Sequence, residues 1–111
     1  MPEVSTHYLI SKKGIIYNLL CPSIKAWHAG ESSYKGIEDC NDYSIGIELE
    51  GSDNDYFSDE QYKMIIKTTK SIIKNYSEID KDKIVGHSDI APGRKTDPGN
   101  KFEWNRYFNA L

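Results

Sequence analysis

Two short runs near the N-terminus, Ser5-Thr6-His7-Tyr8-Leu9-Ile10 and Ile15-Ile16-Tyr17-Asn18-Leu19-Leu20, are rich in β-prone residues and flank Lys12-Lys13-Gly14. This pattern predicts a β-hairpin that turns at the glycine. Residues 21–43 have no period, carry Gly30 and Gly36, and read as loop. From Ser44 to Glu50 the chain alternates, which puts Ile45, Ile47 and Leu49 on one face of a strand and Ser44, Gly46, Glu48 and Glu50 on the other. Ser58-Asp59-Glu60-Gln61 is a capping box. After it, Tyr62, Ile65, Ile66, Thr69, Ile72, Ile73 and Tyr76 recur at helical spacing and predict a helix of about five turns with one buried stripe. Lys83-Ile84-Val85 reads as a short strand leading into His87. Trp104, Tyr107, Phe108 and Leu111 form a second helical stripe at the C-terminus. The order of elements points to a sheet covered by the long helix, an α/β or α+β layer.

Composition narrows the partners more than the fold. The chain has 111 residues, 38% of them hydrophobic and 28% charged, which is ordinary for one soluble domain. Its net charge of −3 argues against a nucleic-acid binder, which needs a basic surface. Asp80-Lys81-Asp82-Lys83 alternates in sign and reads as a solvated turn. No apolar run approaches the roughly 18 residues that span a bilayer. Met1-Pro2-Glu3-Val4 has neither a basic nor an apolar leader region, so no signal peptide is expected. Cys21 and Cys40 lack C-x-x-C spacing and read as thiols of a cytoplasmic protein rather than a disulfide.

The chemistry concentrates between Gly86 and Gly99. His87 and Asp97 stand ten positions apart on a segment with two Pro-Gly pairs, so a shaped loop, rather than a helix or strand, can bring both onto one ion. Neutral imidazole and carboxylate are ligands of catalytic zinc, which takes three protein ligands and keeps one position open. Lys95 places a cation beside them. The plainer alternative is a polar surface loop with a turn at each Pro-Gly. Glu48 lies on the polar strand face and is suited to general-base work if that face borders a cleft. Glu50 shares the face, and alternation does not choose between them; an ordinary solvent-facing Glu is the simpler reading of either. Trp27 can stack on a sugar or line a peptide groove, with His28 as a hydrogen-bond donor, or Trp27 simply packs its loop onto the core. His7, a lone strand histidine, reads as structural.

Four segments occur in order: Val4-Ser5-Thr6-His7-Tyr8-Leu9-Ile10, Trp27-His28-Ala29-Gly30, Cys40-Asn41-Asp42-Tyr43-Ser44-Ile45-Gly46-Ile47-Glu48-Leu49-Glu50-Gly51, and Gly86-His87-Ser88-Asp89-Ile90-Ala91-Pro92-Gly93-Arg94-Lys95-Thr96-Asp97-Pro98-Gly99. Together they resemble the zinc-dependent N-acetylmuramoyl-L-alanine amidases. That family is shared by cell-wall recycling enzymes, amidase-type phage lysozymes and peptidoglycan recognition proteins. The nearest likeness is to the cytosolic branch that cleaves 1,6-anhydro-N-acetylmuramyl peptides. The resemblance implies a single amidase domain over residues 1–111. It also implies an α/β fold with a central mixed β-sheet packed by helices, like the peptidoglycan recognition proteins. It makes His87 and Asp97 two zinc ligands, Glu48 the catalytic carboxylate, and Lys95 the cation that steadies the oxyanion. Trp27, His28 and Arg94 are implied to border the substrate groove. The implied cofactor is zinc and the implied partner a muropeptide, with neither nucleic acid nor membrane.

Two departures stand out. The family's first zinc ligand is a His at the end of a strand upstream of the Val4 motif, so the expectation is an N-terminally incomplete domain lacking that strand and carrying an unpaired sheet edge. His7 matches a different family position, next to the groove. Ile37 and Asp39 stand where the recycling branch commonly places arginines, and Asp39 would repel an acidic peptide stem. The expected activity is hydrolysis of the amide between N-acetylmuramic or 1,6-anhydro-N-acetylmuramic acid and L-alanine. The alternative is an inactive amidase-like domain that at most binds muropeptides. A purely structural α/β domain is the third reading.

Overall fold

The hairpin forms where the sequence places it. A computed structural model of the chain describes residues 6–19, 33–34, 37–38, 44–52, 54–76, 79–90 and 97–111. Strands β1 (Tyr8–Ile10) and β2 (Ile16–Asn18) pair antiparallel, with Leu9 opposite Tyr17. Gly14 takes φ +80 at the fourth position of the turn Ser11-Lys12-Lys13-Gly14, a conformation that L side chains rarely adopt, and its N–H donates to the Ser11 carbonyl at 2.9 Å. A two-stranded antiparallel pair, β3 (Ser33–Tyr34) and β4 (Ile37–Glu38), interrupts the segment read as loop.

Strand β5 (Ile47–Leu49) joins β1 in parallel, which makes the sheet mixed, with order β2-β1-β5. The Tyr8 N–H donates to the Gly46 carbonyl at 3.1 Å and the Glu50 N–H to the Ile10 carbonyl at 2.9 Å. Gly46, Glu48 and Glu50 therefore turn their backbone groups toward β1. Ile47 and Leu49 turn theirs the other way, along an edge that no strand among the described residues pairs. His7 is fully buried and ties the same two strands: its Nδ1 accepts the Gly46 N–H at 3.0 Å. This is the structural role expected of it.

Helix α1 (Asp59–Asn75) covers the sheet. Its capping box is complete. The Ser58 hydroxyl accepts the Gln61 N–H at 3.1 Å, and the Gln61 side chain accepts the Ser58 N–H at 3.0 Å. The same hydroxyl donates to the Lys12 carbonyl at 2.6 Å, so the helix start is pinned to the hairpin turn. The buried stripe is Gln61, Tyr62, Ile65, Thr68, Thr69 and Ile72. It differs from the periodic reading at its ends. Ile66 and Ile73 are only half-buried, and Tyr76, at the C-cap, is exposed because the helix has run past the sheet.

The core gathers Ile10, Tyr62, Ile65, Phe102 and Tyr107. Phe102 sits at its centre, with ring centroids 5.4 Å from Tyr62, 4.8 Å from Trp104 and 5.7 Å from Tyr107. The C-terminal stripe is helical, as α3 (Trp104–Asn109). It is fastened to α1 by a buried hydroxyl pair, Thr69 Oγ1 and Tyr107 OH at 2.5 Å, and by the Glu103 N–H, which donates to the Tyr62 hydroxyl at 2.9 Å.

Two further sequence expectations need correction. Lys83-Ile84-Val85 is not a strand: a 3-10 turn spans Lys81–Lys83, capped by Asp80, and Ile84 to Gly86 are irregular. A cavity separates this segment from β5, so its backbone has no ladder to join. The segment that begins at His87 is not wholly loop either, because His87–Ile90 makes one helical turn, α2. Asp80-Lys81-Asp82-Lys83 is the exposed turn expected. No helix among the described residues is long and apolar enough to cross a membrane.

Candidate functional site

The site forms where the open edge of β5 faces the turn that carries His87. Between them lies a cavity of about 710 Å³, within the usual size of a small-molecule pocket. β5 and the residues before it form one wall, Ile84 to His87 another, and Trp104 and Tyr107 part of the floor. Glu48, His87 and Asp97 all line this cavity.

His87 opens α2, and the turn beneath it is closed twice. The Asp89 carboxylate accepts the Gly86 N–H at 2.9 Å, and the Asp89 N–H donates to the Gly86 carbonyl at 3.0 Å. Asp97 arrives from the other arm. Its backbone carbonyl accepts the Ser88 N–H at 3.1 Å, and its Oδ2 is hydrogen-bonded to His87 Nδ1. The imidazole is 10% exposed and the carboxylate 37% exposed, so the pair opens toward solvent on the Asp97 side. Phe102, buried in the aromatic core a few residues on, anchors the Asp97 arm.

Glu48 and Glu50, indistinguishable by alternation, are separated by their surroundings. Glu50 turns to the hairpin, where its Oε1 accepts the Lys12 N–H at 2.8 Å. Glu48 lines the cavity.

An imidazole nitrogen and a carboxylate oxygen that meet at one point fit the donor types that zinc selects. Among the described residues, no group of three or more His, Cys, Asp or Glu is gathered to hold a metal. Trp27, His28, Arg94 and Lys95 lie outside the described residues, as do Cys21, Cys40 and Asp39. Sequence reasoning missed Phe102, Gln61 and Gly86. Phe102 stands alone between two periodic stretches. Gln61 was read only as a cap, though its amide also reaches the sheet.

The chain is similar to known proteins over nearly its whole length. The model of the N-acetylmuramoyl-L-alanine amidase family matches residues 1–100, and the chain belongs to that family. Among curated relatives, the 1,6-anhydro-N-acetylmuramyl-L-alanine amidase AmpD of Haemophilus influenzae is 49% identical over 109 residues, which are 98% of this chain and 59% of that protein. The N-acetylmuramoyl-L-alanine amidase AmiD of Escherichia coli is 38% identical, over 94% of this chain and 43% of its own length. In three dimensions the chain matches the crystal structure of a selenomethionine AmpD derivative with TM-score 0.93 and 46% identity, over 97% of this chain and 60% of that one. It matches the complex of E. coli AmiD with the substrate anhydro-N-acetylmuramic acid-L-Ala-D-γ-Glu-L-Lys with TM-score 0.88 and 36% identity, over 99% and 49%. The chain thus spans 59% and 57% of the length of two curated AmpD relatives, and its sheet and helices are those of the amidase fold.

Proposed function

We propose that this chain carries out the amide hydrolysis of its family. The bond cut joins N-acetylmuramic or 1,6-anhydro-N-acetylmuramic acid to L-alanine in peptidoglycan fragments, and the setting is cell-wall turnover and recycling in the cytoplasm. The observation that carries the reading is the cavity that Glu48 lines together with the hydrogen-bonded pair of His87 and Asp97. The AmiD complex with an anhydromuramyl peptide supports the substrate class.

His87 and Asp97 would hold a zinc ion through imidazole nitrogen and carboxylate oxygen. Zinc, when bound, polarises a carbonyl and lowers the pKa of water toward about 7. A Glu48 carboxylate oxygen takes the proton of the attacking water and delivers it to the L-alanine amine as that amine leaves. By the family resemblance, Lys95 is the cation that would offset negative charge developing on the carbonyl oxygen. By the same resemblance, Trp27, His28 and Arg94 are the residues that would contact the sugar and peptide. The apolar walls of the cavity exclude water around the scissile bond, which strengthens each of these electrostatic contacts.

The test is direct. The chain is incubated with one equivalent of zinc and an anhydromuramyl peptide, and released peptide is measured against Glu48→Gln. Release that is zinc-dependent and lost in Glu48→Gln supports the assignment. Bound muropeptide with no release in any zinc concentration overturns it in favour of an inactive binding domain.

A further inference from the structure

Gly86 is buried, and it is not among the described glycines with positive φ, which are Gly14, Gly51 and Gly99. Its backbone conformation is open to any L residue, so conformational freedom does not explain a glycine there. Space does. A Cβ at position 86 would lie 2.7 Å from Pro98 Cδ, and 3.3 Å from both the Asp97 carbonyl oxygen and Trp104 Cζ2. Real Cβ atoms essentially never approach another heavy atom as closely as the first of these. None of the three obstacles is the free end of a flexible chain. Pro98 is a ring, the Asp97 oxygen is backbone that already accepts the Ser88 N–H, and Trp104 is packed on Phe102.

We infer that Gly86 is a positioning residue for the His87–Asp97 pair: its missing Cβ lets Pro98 seat against the backbone immediately before His87, and that contact sets the approach of the two side chains. The inference rests on reading the pair as the metal-holding centre. The two arms are also joined through the Ser88 N–H, which donates to the Asp97 carbonyl, and through the pair itself. A wedge between Gly86 and Pro98 pushes on the residues next to both donors. Packed interiors do not absorb even one methyl without a shift.

The test separates the positioning role from the metal reading. The His87–Asp97 hydrogen bond is followed in crystal structures of metal-free Gly86→Ala, Pro98→Ala and the double variant, which together form a double-mutant cycle. Gly86→Ala is expected to lose the bond. Gly86→Ala/Pro98→Ala, which removes the Cδ that the new Cβ meets, is expected to regain it. A Gly86→Ala chain that keeps the bond overturns the proposal. So does a double variant that still lacks the bond while Pro98→Ala alone keeps it. If Gly86→Ala does not fold, the double variant decides: folded with the bond intact it supports the proposal, and as unfolded as the single variant it overturns it. Zinc affinity, from competition with a chromophoric chelator, reads the other question. Gly86→Ala is expected to weaken zinc by about 10–100-fold, the usual cost of disturbing residues behind a ligand. Suppose the bond responds as expected, but the native chain binds zinc no better than His87→Ala. Then the positioning role stands and the metal reading falls.

Discussion

The Gln61 side-chain amide donates to the Glu50 carbonyl oxygen at 2.9 Å and, more loosely, to the Ile10 carbonyl oxygen at 3.4 Å. The residue has no exposed surface. Those carbonyls end two parallel strands, so one side chain fixes the first turn of α1 to the end of β1 and β5, beside the strand that carries Glu48. Gln61→Leu fills similar volume but takes this donor from the part-buried Glu50 carbonyl and the capping acceptor from the Ser58 N–H, while the Ile10 carbonyl keeps the Glu50 N–H. The expected cost is about 1–3 kcal/mol, read as a lower urea midpoint with unchanged slope. An unshifted midpoint would mean that other donors or water satisfy both carbonyls.

Tyr107 predicts an alkaline limit to stability. Burial pushes its phenol above the ordinary tyrosine range, and the bond to Thr69 opposes that push only in part. The folded state therefore holds the proton more tightly than the unfolded state does. This contribution is fully present below the unfolded pKa of about 10 and is lost as pH rises through the higher folded value. Urea midpoints measured from pH 8 to 11 should fall more steeply for the native chain than for Tyr107→Phe. At neutral pH, Tyr107→Phe should itself lose about 1–3 kcal/mol, because Thr69 is left buried without this partner. Parallel pH curves for the two proteins would contradict the assignment.

Glu48 and Glu50 give a paired test on one strand. Glu48→Gln removes a proton acceptor from the cavity and should lower turnover by about 10²–10⁴-fold with zinc uptake unchanged. Glu50→Gln retains an oxygen to accept the Lys12 N–H and should change turnover little. Equal losses in both variants would point to strand geometry rather than to a base at Glu48.

The proposed zinc site is expected to be loose. His87 and Asp97 supply two donors, whereas a catalytic zinc normally has three from protein. Zinc should therefore dialyse away from the native chain against a chelator, and His87→Ala and Asp97→Ala should each abolish residual uptake. Elemental analysis after dialysis decides this. Stoichiometric zinc in the native chain would mean that a third donor completes the site from outside the described residues.

Local patterns carried much of this protein in the sequence itself. The hairpin, the capped helix and the C-terminal helix follow from alternation, a glycine at a turn, and a Ser…Gln box, all of which act over a few residues. The pairing of His87 with Asp97 could be anticipated as well, because two metal-ligand residue types stand ten positions apart in a sequence with two Pro-Gly pairs. Long-range contacts decided the rest. Lys83 to Val85 has the composition of a strand yet forms none, because a strand exists only with a neighbour to pair with, and a cavity lies where that neighbour would be. Glu48 and Glu50 are equivalent in the pattern. They part only because the hairpin brings the Lys12 N–H to Glu50 while the turn at Gly86 brings the cavity to Glu48. Gly86 looks like any loop glycine until Pro98, twelve residues on, is found against it. Contacts between segments far apart in sequence leave no period to read, and here they are what assembles the site.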